Sequence, residues 1–176
     1  MGINISCQSP STDCALPLGY PQSIPFTSPV STGWDYRGTL PPNMTFEQDP
    51  DDVTKALFSG TPDVAGTYEF TISDGNEFLG MKYTVYTLDV SRDSPCSATR
   101  GLPITPIIIS RSNGALPYGT NWYILNGALP YGLYFSRRDA TIAGVPLVSG
   151  TFSLTIKDSF YSTVDCTIVV QEPPPE

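Results

Sequence analysis

Apolar and polar side chains alternate one for one along much of this chain. Tyr68, Phe70 and Ile72 interleave with Glu69, Thr71 and Ser73, and Phe152, Leu154 and Ile156 interleave with Ser153, Thr155 and Lys157. A period of two in aromatic and β-branched residues is that of a strand with one buried face. Asp74-Gly75-Asn76 reads as a hairpin turn. Beyond it Met81, Tyr83, Val85, Thr87 and Asp89 alternate with Lys82, Thr84, Tyr86, Leu88 and Val90 in one returning strand, a part played later by Thr163 to Gln171. Shorter strands are predicted at 24–28, 33–37, 44–47, 56–59, 105–110, 121–125, 133–136 and 141–143. No segment sustains a helical period. Many short strands divided by Gly and Pro turns predict a β-sandwich.

The pattern occurs twice. Leu40-Pro41-Pro42-Asn43-Met44-Thr45-Phe46 is matched by Leu129-Pro130-Tyr131-Gly132-Leu133-Tyr134-Phe135. Likewise Gly60-Thr61-Pro62-Asp63-Val64-Ala65-Gly66-Thr67-Tyr68 is matched by Gly144-Val145-Pro146-Leu147-Val148-Ser149-Gly150-Thr151-Phe152. The first copy is longer between its two blocks, where the acidic stretch from Glu47 to Lys55 reads as a loop insertion. Trp34 and Trp122 each precede the Leu-Pro pair and are expected to supply much of a small core. The expected organisation is all-β: an extended N-terminal segment at 1–23, partly a first strand, β-sandwich domains at 24–91 and 92–171, and a proline-rich tail at 172–176. Glycines 60, 66, 144 and 150 are expected to take positive φ or release the chain into bends, with Pro62 and Pro146 fixing turns. Leu40-Pro41 and Leu129-Pro130 are expected to plug one sandwich end through the leucine.

These two blocks, with Gly114-Ala115-Leu116-Pro117-Tyr118-Gly119-Thr120-Asn121-Trp122 ahead of the second, resemble the family of putative immunoglobulin-like domains, related to cadherin-like and dystroglycan-type sandwiches. Asn43 stands where that family has Gly, and Val145 where it has Thr; neither endangers the fold, since Asn tolerates left-handed backbone. The resemblance implies a fold and no catalysis. It also implies a setting, because such domains recur on bacterial surface proteins and on virion proteins of tailed phages.

Composition narrows the function. The 176 residues include 17 acidic and 9 basic side chains, for a formal charge of −8, and no His. The acidic balance opposes a polyphosphate partner, and no apolar run approaches the roughly 20 residues that cross a bilayer. Neither nucleic acid nor membrane is an expected partner. The start, Met1 to Cys7, has no basic region and no apolar core of a secretion signal. Folding in a cytoplasm is therefore expected, with Cys7, Cys14, Cys96 and Cys166 as buried reduced thiols. A disulfide would favour secretion.

Candidate chemistry is sparse. Without His a Ser nucleophile would need a Lys partner, and Lys55, Lys82 and Lys157 stand in no Ser-x-x-Lys pair. Nothing in the spacing pairs two carboxylates for glycoside hydrolysis. No catalytic residue, cofactor or enzyme activity is expected. Glu47, Asp49, Asp51 and Asp52 are the densest acidic cluster and a candidate Ca²⁺ set, although a solvated loop explains them better. Tyr118, Tyr131, Tyr134 and Tyr161 are candidate contact residues, suited to protein or carbohydrate; Pro173, Pro174 and Pro175 are a candidate docking tail in polyproline II. The expected function is that of a structural or adhesive tailed-phage virion protein, foremost a capsid decoration (cement or head-fibre) protein docking by both termini. Its expected partners are other virion proteins and host-surface carbohydrate, with a homo-oligomer allowed. A tail or baseplate accessory, or a fragment of a secreted bacterial adhesin, is the alternative.

Overall fold

The two hairpins with the strictest alternation form the longest strand pairs. In the computed structural model, which describes residues 2–5, 12–91, 95–114 and 121–175, they anchor two compact units. One unit runs up to Thr87 and the other from Leu88 onward, with Asn113 and Gly114 grouped with the first.

Unit 1 contains β1 (Asn4–Ile5), β2 (Asp13–Pro17), β3 (Gln22–Thr27), β4 (Asp35–Gly38), β5 (Met44–Gln48), β6 (Lys55–Gly60), β7 (Gly66–Ser73) and β8 (Phe78–Tyr86). Unit 2 contains β9 (Leu88–Val90), β10 (Cys96–Thr99), β11 (Ile107–Arg111), β12 (Tyr123–Asn126), β13 (Leu133–Ser136), β14 (Thr141–Gly144), β15 (Gly150–Lys157) and β16 (Thr163–Gln171). Each unit has two four-stranded sheets, ordered β1-β3-β6-β5 and β2-β8-β7-β4 in the first, β9-β11-β14-β13 and β10-β16-β15-β12 in the second. The second unit repeats the first strand for strand. Every pairing is antiparallel except β2 on β8 and β10 on β16, which are parallel. The register matches too: Gly66 faces Val85 as Gly150 faces Val170, and Cys14 faces Tyr83 as Cys96 faces Ile168.

Several expectations change. The N-terminal segment is no free arm: β1 pairs with β3, and β2 lies along β8 with Cys14 and Leu16 buried. The returning strand does not continue to Val90. It ends at Tyr86, and Leu88–Val90 pairs with Ile109–Arg111 in the other unit's sheet. Unit 1 builds its core on Phe26, Phe58, Phe70 and Tyr83, while Trp34 is only half-buried against them. Trp34 meets Phe26 and Phe46 edge-on and donates its indole N–H to Val53 O at 2.9 Å. Trp122 is fully enclosed, in a core otherwise aliphatic, with Ile107, Ile109, Ile142, Leu154, Ile156 and Ile168. Each such side chain contributes about 1.5–3 kcal/mol on burial.

The repeated motif is structural in both copies. Gly60 and Gly144 have φ of 136° and 126°, and a Cβ there would meet Asn43 O at 2.1 Å or Gly132 O at 2.4 Å. Those carbonyls accept from Thr61 N and Val145 N, both at 3.1 Å. Pro41 and Pro130 are the buried members of their pairs, while Leu40 and Leu129 are half-buried. Pro62 and Pro146 are buried as well, and their carbonyls each accept a glycine N–H at 2.8 Å, from Gly19 and Gly101. Gly150 has φ of 143°, but Gly66 does not take positive φ. A Cβ on either would only touch the following aromatic ring, at 3.4 Å from Tyr68 for Gly66 and 3.5 Å from Phe152 for Gly150, which is ordinary contact, so the backbone of Gly150 is what calls for glycine.

The β7–β8 and β15–β16 turns are closed by buried carboxylates. Asp74 Oδ1 accepts from Asn76 N at 2.9 Å and Glu77 N at 2.7 Å; Asp158 Oδ1 accepts from Phe160 N at 2.9 Å and Ser162 N at 3.0 Å.

Candidate functional site

The acidic loop joins β5 to β6, and its carboxylates serve the loop itself. Asp49 Oδ1 accepts from Asp51 N at 2.9 Å, and Asp52 Oδ1 from Thr54 N at 3.0 Å. Asp52 Oδ2 pairs with Lys55 Nζ at 2.7 Å. The Lys55 hydrogen bond and then those of Thr54 hold the Asp52 carboxyl down at about 2. Among the described residues no three His, Cys, Asp or Glu side chains are gathered as a metal set. The structure therefore does not bring Glu47, Asp49, Asp51 and Asp52 together for Ca²⁺.

The candidate tyrosines scatter. Tyr118 lies outside the described residues. Tyr161, 63% exposed, sits at the β15–β16 turn with Lys157 Nζ 5.4 Å from its ring centroid. Tyr131, 75% exposed, precedes β13 at the opposite end of unit 2, and Tyr134, 61% exposed, points out from the β13–β14 pair.

Tyr131 has company that the sequence reading missed. Its carbonyl accepts from Leu147 N at 2.8 Å, and Pro146 O accepts from Gly101 N at 2.8 Å. Three loops thus meet and present Tyr131, Leu147, Val148 and Leu102, all large and exposed. The register places Pro42 and Asp63 at the positions of Tyr131 and Leu147 in unit 1, where Asn43 Nδ2 donates to Asp63 Oδ2 at 2.6 Å. Both units expose a valine here, Val64 and Val148, but unit 1 has the Asn43–Asp63 bond beside it where unit 2 has the apolar Tyr131 and Leu147 facing water. The signal was the exchange of Thr61-Pro62-Asp63 for Val145-Pro146-Leu147 within an otherwise constant motif.

The proline tail leaves from the same end. β16 ends at Gln171 beside Thr99, and Glu172 then bonds Ser149 Oγ at 2.5 Å and Arg100 Nη2 at 2.7 Å. The Ser149 hydroxyl and then Arg100 lower the Glu172 pKa. Pro173, Pro174 and Pro175 follow, exposed and without a strand partner.

Cys14 is disulfide-bonded, against the expectation of reduced thiols throughout. Cys96 and Cys166 are buried and outside any disulfide. Burial first, and then the neighbouring Cys96 thiol, push Cys166 up to about 12.

Residues 86–171 match the family model described as Putative Ig domain. No curated protein matches the chain in sequence. Among solved structures, the C-terminal fragment of intimin in complex with the translocated intimin receptor is 15% identical, with 96% of this chain and 63% of that one covered and a TM-score of 0.48. Titin domains I67–I69 are 14% identical over 92% of this chain and 63% of theirs, at 0.42. The endo-fucoidan hydrolase MfFcnA4 is 18% identical over 90% of this chain, at 0.35, and the chain spans only 27% of its length.

Proposed function

We propose that this Ig-like domain protein is a non-enzymatic structural and adhesive component of a tailed-phage virion, a capsid decoration protein held on the shell by one end of unit 2. The observation that carries the reading is the convergence of Tyr131, Leu147, Val148 and the exposed proline tail at that end, where unit 1 has a polar closure. Two copies of one scaffold keep their internal hydrogen bonds and differ in what they offer to solvent, as expected of a display module. Contiguous exposed apolar side chains mark contact surfaces, and an extended polyproline segment binds at little cost in ordering. Both N-terminal strands are consumed by unit 1, so the docking role falls to the tail and the adjacent loops. The buried carboxylates Asp74 and Asp158 bond the amides of their own hairpins, and the reading gives them a structural role. The partners are other virion proteins, with further copies of the chain and host-surface carbohydrate as secondary contacts.

The Cys14 disulfide favours a protein that works outside a reducing cytoplasm. A virion surface is compatible with that, but the disulfide weighs toward the second reading, a secreted bacterial adhesin. Mass spectrometry on purified particles and on the envelope and medium of phage-free cells separates the two. The chain is expected in particles at a stoichiometry tied to the major shell protein. Its presence in the phage-free envelope or medium, and absence from particles, overturns the virion reading.

A further inference from the structure

One face of the repeated fold is self-satisfied in unit 2 and hollow in unit 1. In the β12–β15–β16 sheet, Tyr123, Lys157 and Thr163 form one cross-strand row, and Asn126, Thr155 and Asp165 the next. Within these rows Lys157 reaches Tyr123, and Thr155 bonds Asp165. Lys157 Nζ and Arg137 Cζ lie 5.8 Å and 4.2 Å from the Tyr123 ring centroid, and Thr155 Oγ1 donates to Asp165 Oδ1 at 2.8 Å.

The matching rows of unit 1 are Asp35, Ser73 and Phe78, then Arg37, Thr71 and Gly80. Gly80 stands where unit 2 has Asp165, and a Cβ on it would find nothing within 4 Å. Next to this row, and not lined by Gly80 itself, is a concavity of about 220 Å³ whose walls include Asp35, Tyr36, Arg37, Thr71, Ser73 and Phe78. Phe78 is 71% exposed although it stands on a sheet face of otherwise polar residues. Among the described residues no carboxylate lies within ion-pair distance of Arg37, in a chain with a formal charge of −8.

We propose that this groove on unit 1 binds a single pyranose ring of a saccharide, stacked on Phe78 and hydrogen-bonded by Arg37, Asp35, Thr71 and Ser73. A pyranose has an apolar C–H face and a rim of hydroxyls that both donate and accept. The groove offers one aromatic wall, a hydroxyl floor, a guanidinium donor and a carboxylate acceptor. A purely apolar ligand would strand those polar groups, and a small anion would use Arg37 while facing Asp35. The volume lies below the roughly 300 Å³ of a drug-sized site, which fits one ring of a longer chain lying across the sheet. The assignment gives the adhesive reading its ligand class and rests on it.

Titration of the full-length chain with neutral hexoses, N-acetylhexosamines and hexuronic acids, followed by amide chemical shifts, tests it. Shifts are expected at Arg37, Thr71 and Ser73 for at least one sugar, and none on the matching face of unit 2. Phe78→Thr installs the residue of unit 2 and removes the platform; Gly80→Asp sets a carboxylate in the row of Arg37 and Thr71, as Asp165 stands beside Thr155 in unit 2, and so competes for the groups offered to the sugar. Both sites are exposed, so the fold is retained, and each variant is expected to bind at least about tenfold more weakly. Absence of shifts with all three sugar classes, or shifts that persist in Phe78→Thr, overturns the assignment. Neither result bears on where the chain resides, which the particle analysis measures separately.

Discussion

Arg111 and Asp158 form an ion pair from which water is almost fully excluded, with Nη2 and Nε at 2.7 Å and 3.1 Å from one carboxylate oxygen. In unit 1 the register puts Ser28 where Arg111 stands, and its hydroxyl donates to Asp74 Oδ2 at 2.6 Å. The aspartate is common because it closes the hairpin through Oδ1, whereas its second oxygen is free to take different partners. The guanidinium also lies 4.8 Å from the Phe160 ring centroid and 5.9 Å from that of Trp122, which lets a charge sit in an aliphatic core. Arg111→Ala strands the carboxylate and is expected to cost about 3–5 kcal/mol in urea unfolding. Ser28→Ala removes one hydrogen bond to a carboxylate and should cost less, about 1–3 kcal/mol. Equal losses at the two sites would refute this account of the pair.

Acid should weaken the protein through the same hairpins. The Ser28 hydroxyl, followed by the Glu77 and Asn76 amides, holds Asp74 below its ordinary 3.8 against the opposing effect of burial. A carboxyl with a depressed folded pKa stabilises fully above the unfolded value and ceases to do so as pH falls through the folded one. Unfolding free energy is thus expected to hold near neutral pH and to fall below about 3.8. Asp74→Asn should be less stable at neutral pH and show a flatter acid decline. Asp52 titrates in the same direction, but its ion pair is solvent-exposed and adds little.

Glycine positions divide into two kinds that one substitution separates. At Gly60 an added Cβ would strike Asn43 O at 2.1 Å in a backbone of positive φ, and Gly60→Ala is expected to lose about 1–3 kcal/mol. Gly80 is in a strand interior with open space around it, so Gly80→Ala should be neutral or gain about 0.5–1 kcal/mol. Thermal melting of the two variants checks both signs.

The duplication and the inward face of every long strand were legible in the chain because period-two alternation reports burial directly. Phe70, Ile72, Met81, Tyr83 and Val85 all point inward as the pattern requires. Phe78 was not singled out, because the alternation was read only from Met81 onward, and its outward place among polar neighbours shows once the partner strands are known. Strand β10 was not expected, and β2 only as an unplaced strand within 1–23, because both pair in parallel with residues far along the chain and no local pattern announces them. The break at Thr87 was hidden by an alternation that runs on through it, since Leu88 and Val90 are strand residues of the next sheet. The apolar end of unit 2 depends on three loops meeting, a long-range fact that composition does not carry.

Cysteine chemistry should differ sharply by position. A thiol near 12 is almost wholly protonated at neutral pH, and alkylation needs the thiolate and access to it. Cys166 and Cys96 are expected to resist iodoacetamide in the native protein and to react once it is unfolded. Reductant should open the Cys14 disulfide and lower the melting temperature, by the equivalent of about 2–5 kcal/mol where such a bond closes a small domain. Rapid native labelling of Cys166 would contradict the burial of its side chain on the inner face of β16.

The apolar end of unit 2 can be converted to the closure of unit 1 by a single exchange. Leu147 is half exposed, its side chain takes no part in the bond from its amide to Tyr131 O, and Asp63 occupies its position in the other copy. Leu147→Asp is therefore expected to leave the melting temperature within a degree or two, as surface substitutions stay within about 0.5 kcal/mol. Attachment to a partner surface should fall steeply, because a carboxylate placed among Tyr131, Val148 and Leu102 must be desolvated without a cation to receive it. Sedimentation of the purified chain with undecorated particles measures the attachment. Tyr131→Ser is expected to act in the same direction, while Tyr161→Ser, at the far end of unit 2, should bind as the parent does. Loss of attachment in Tyr161→Ser with retention in Leu147→Asp would move the contact surface to the opposite end of the sandwich.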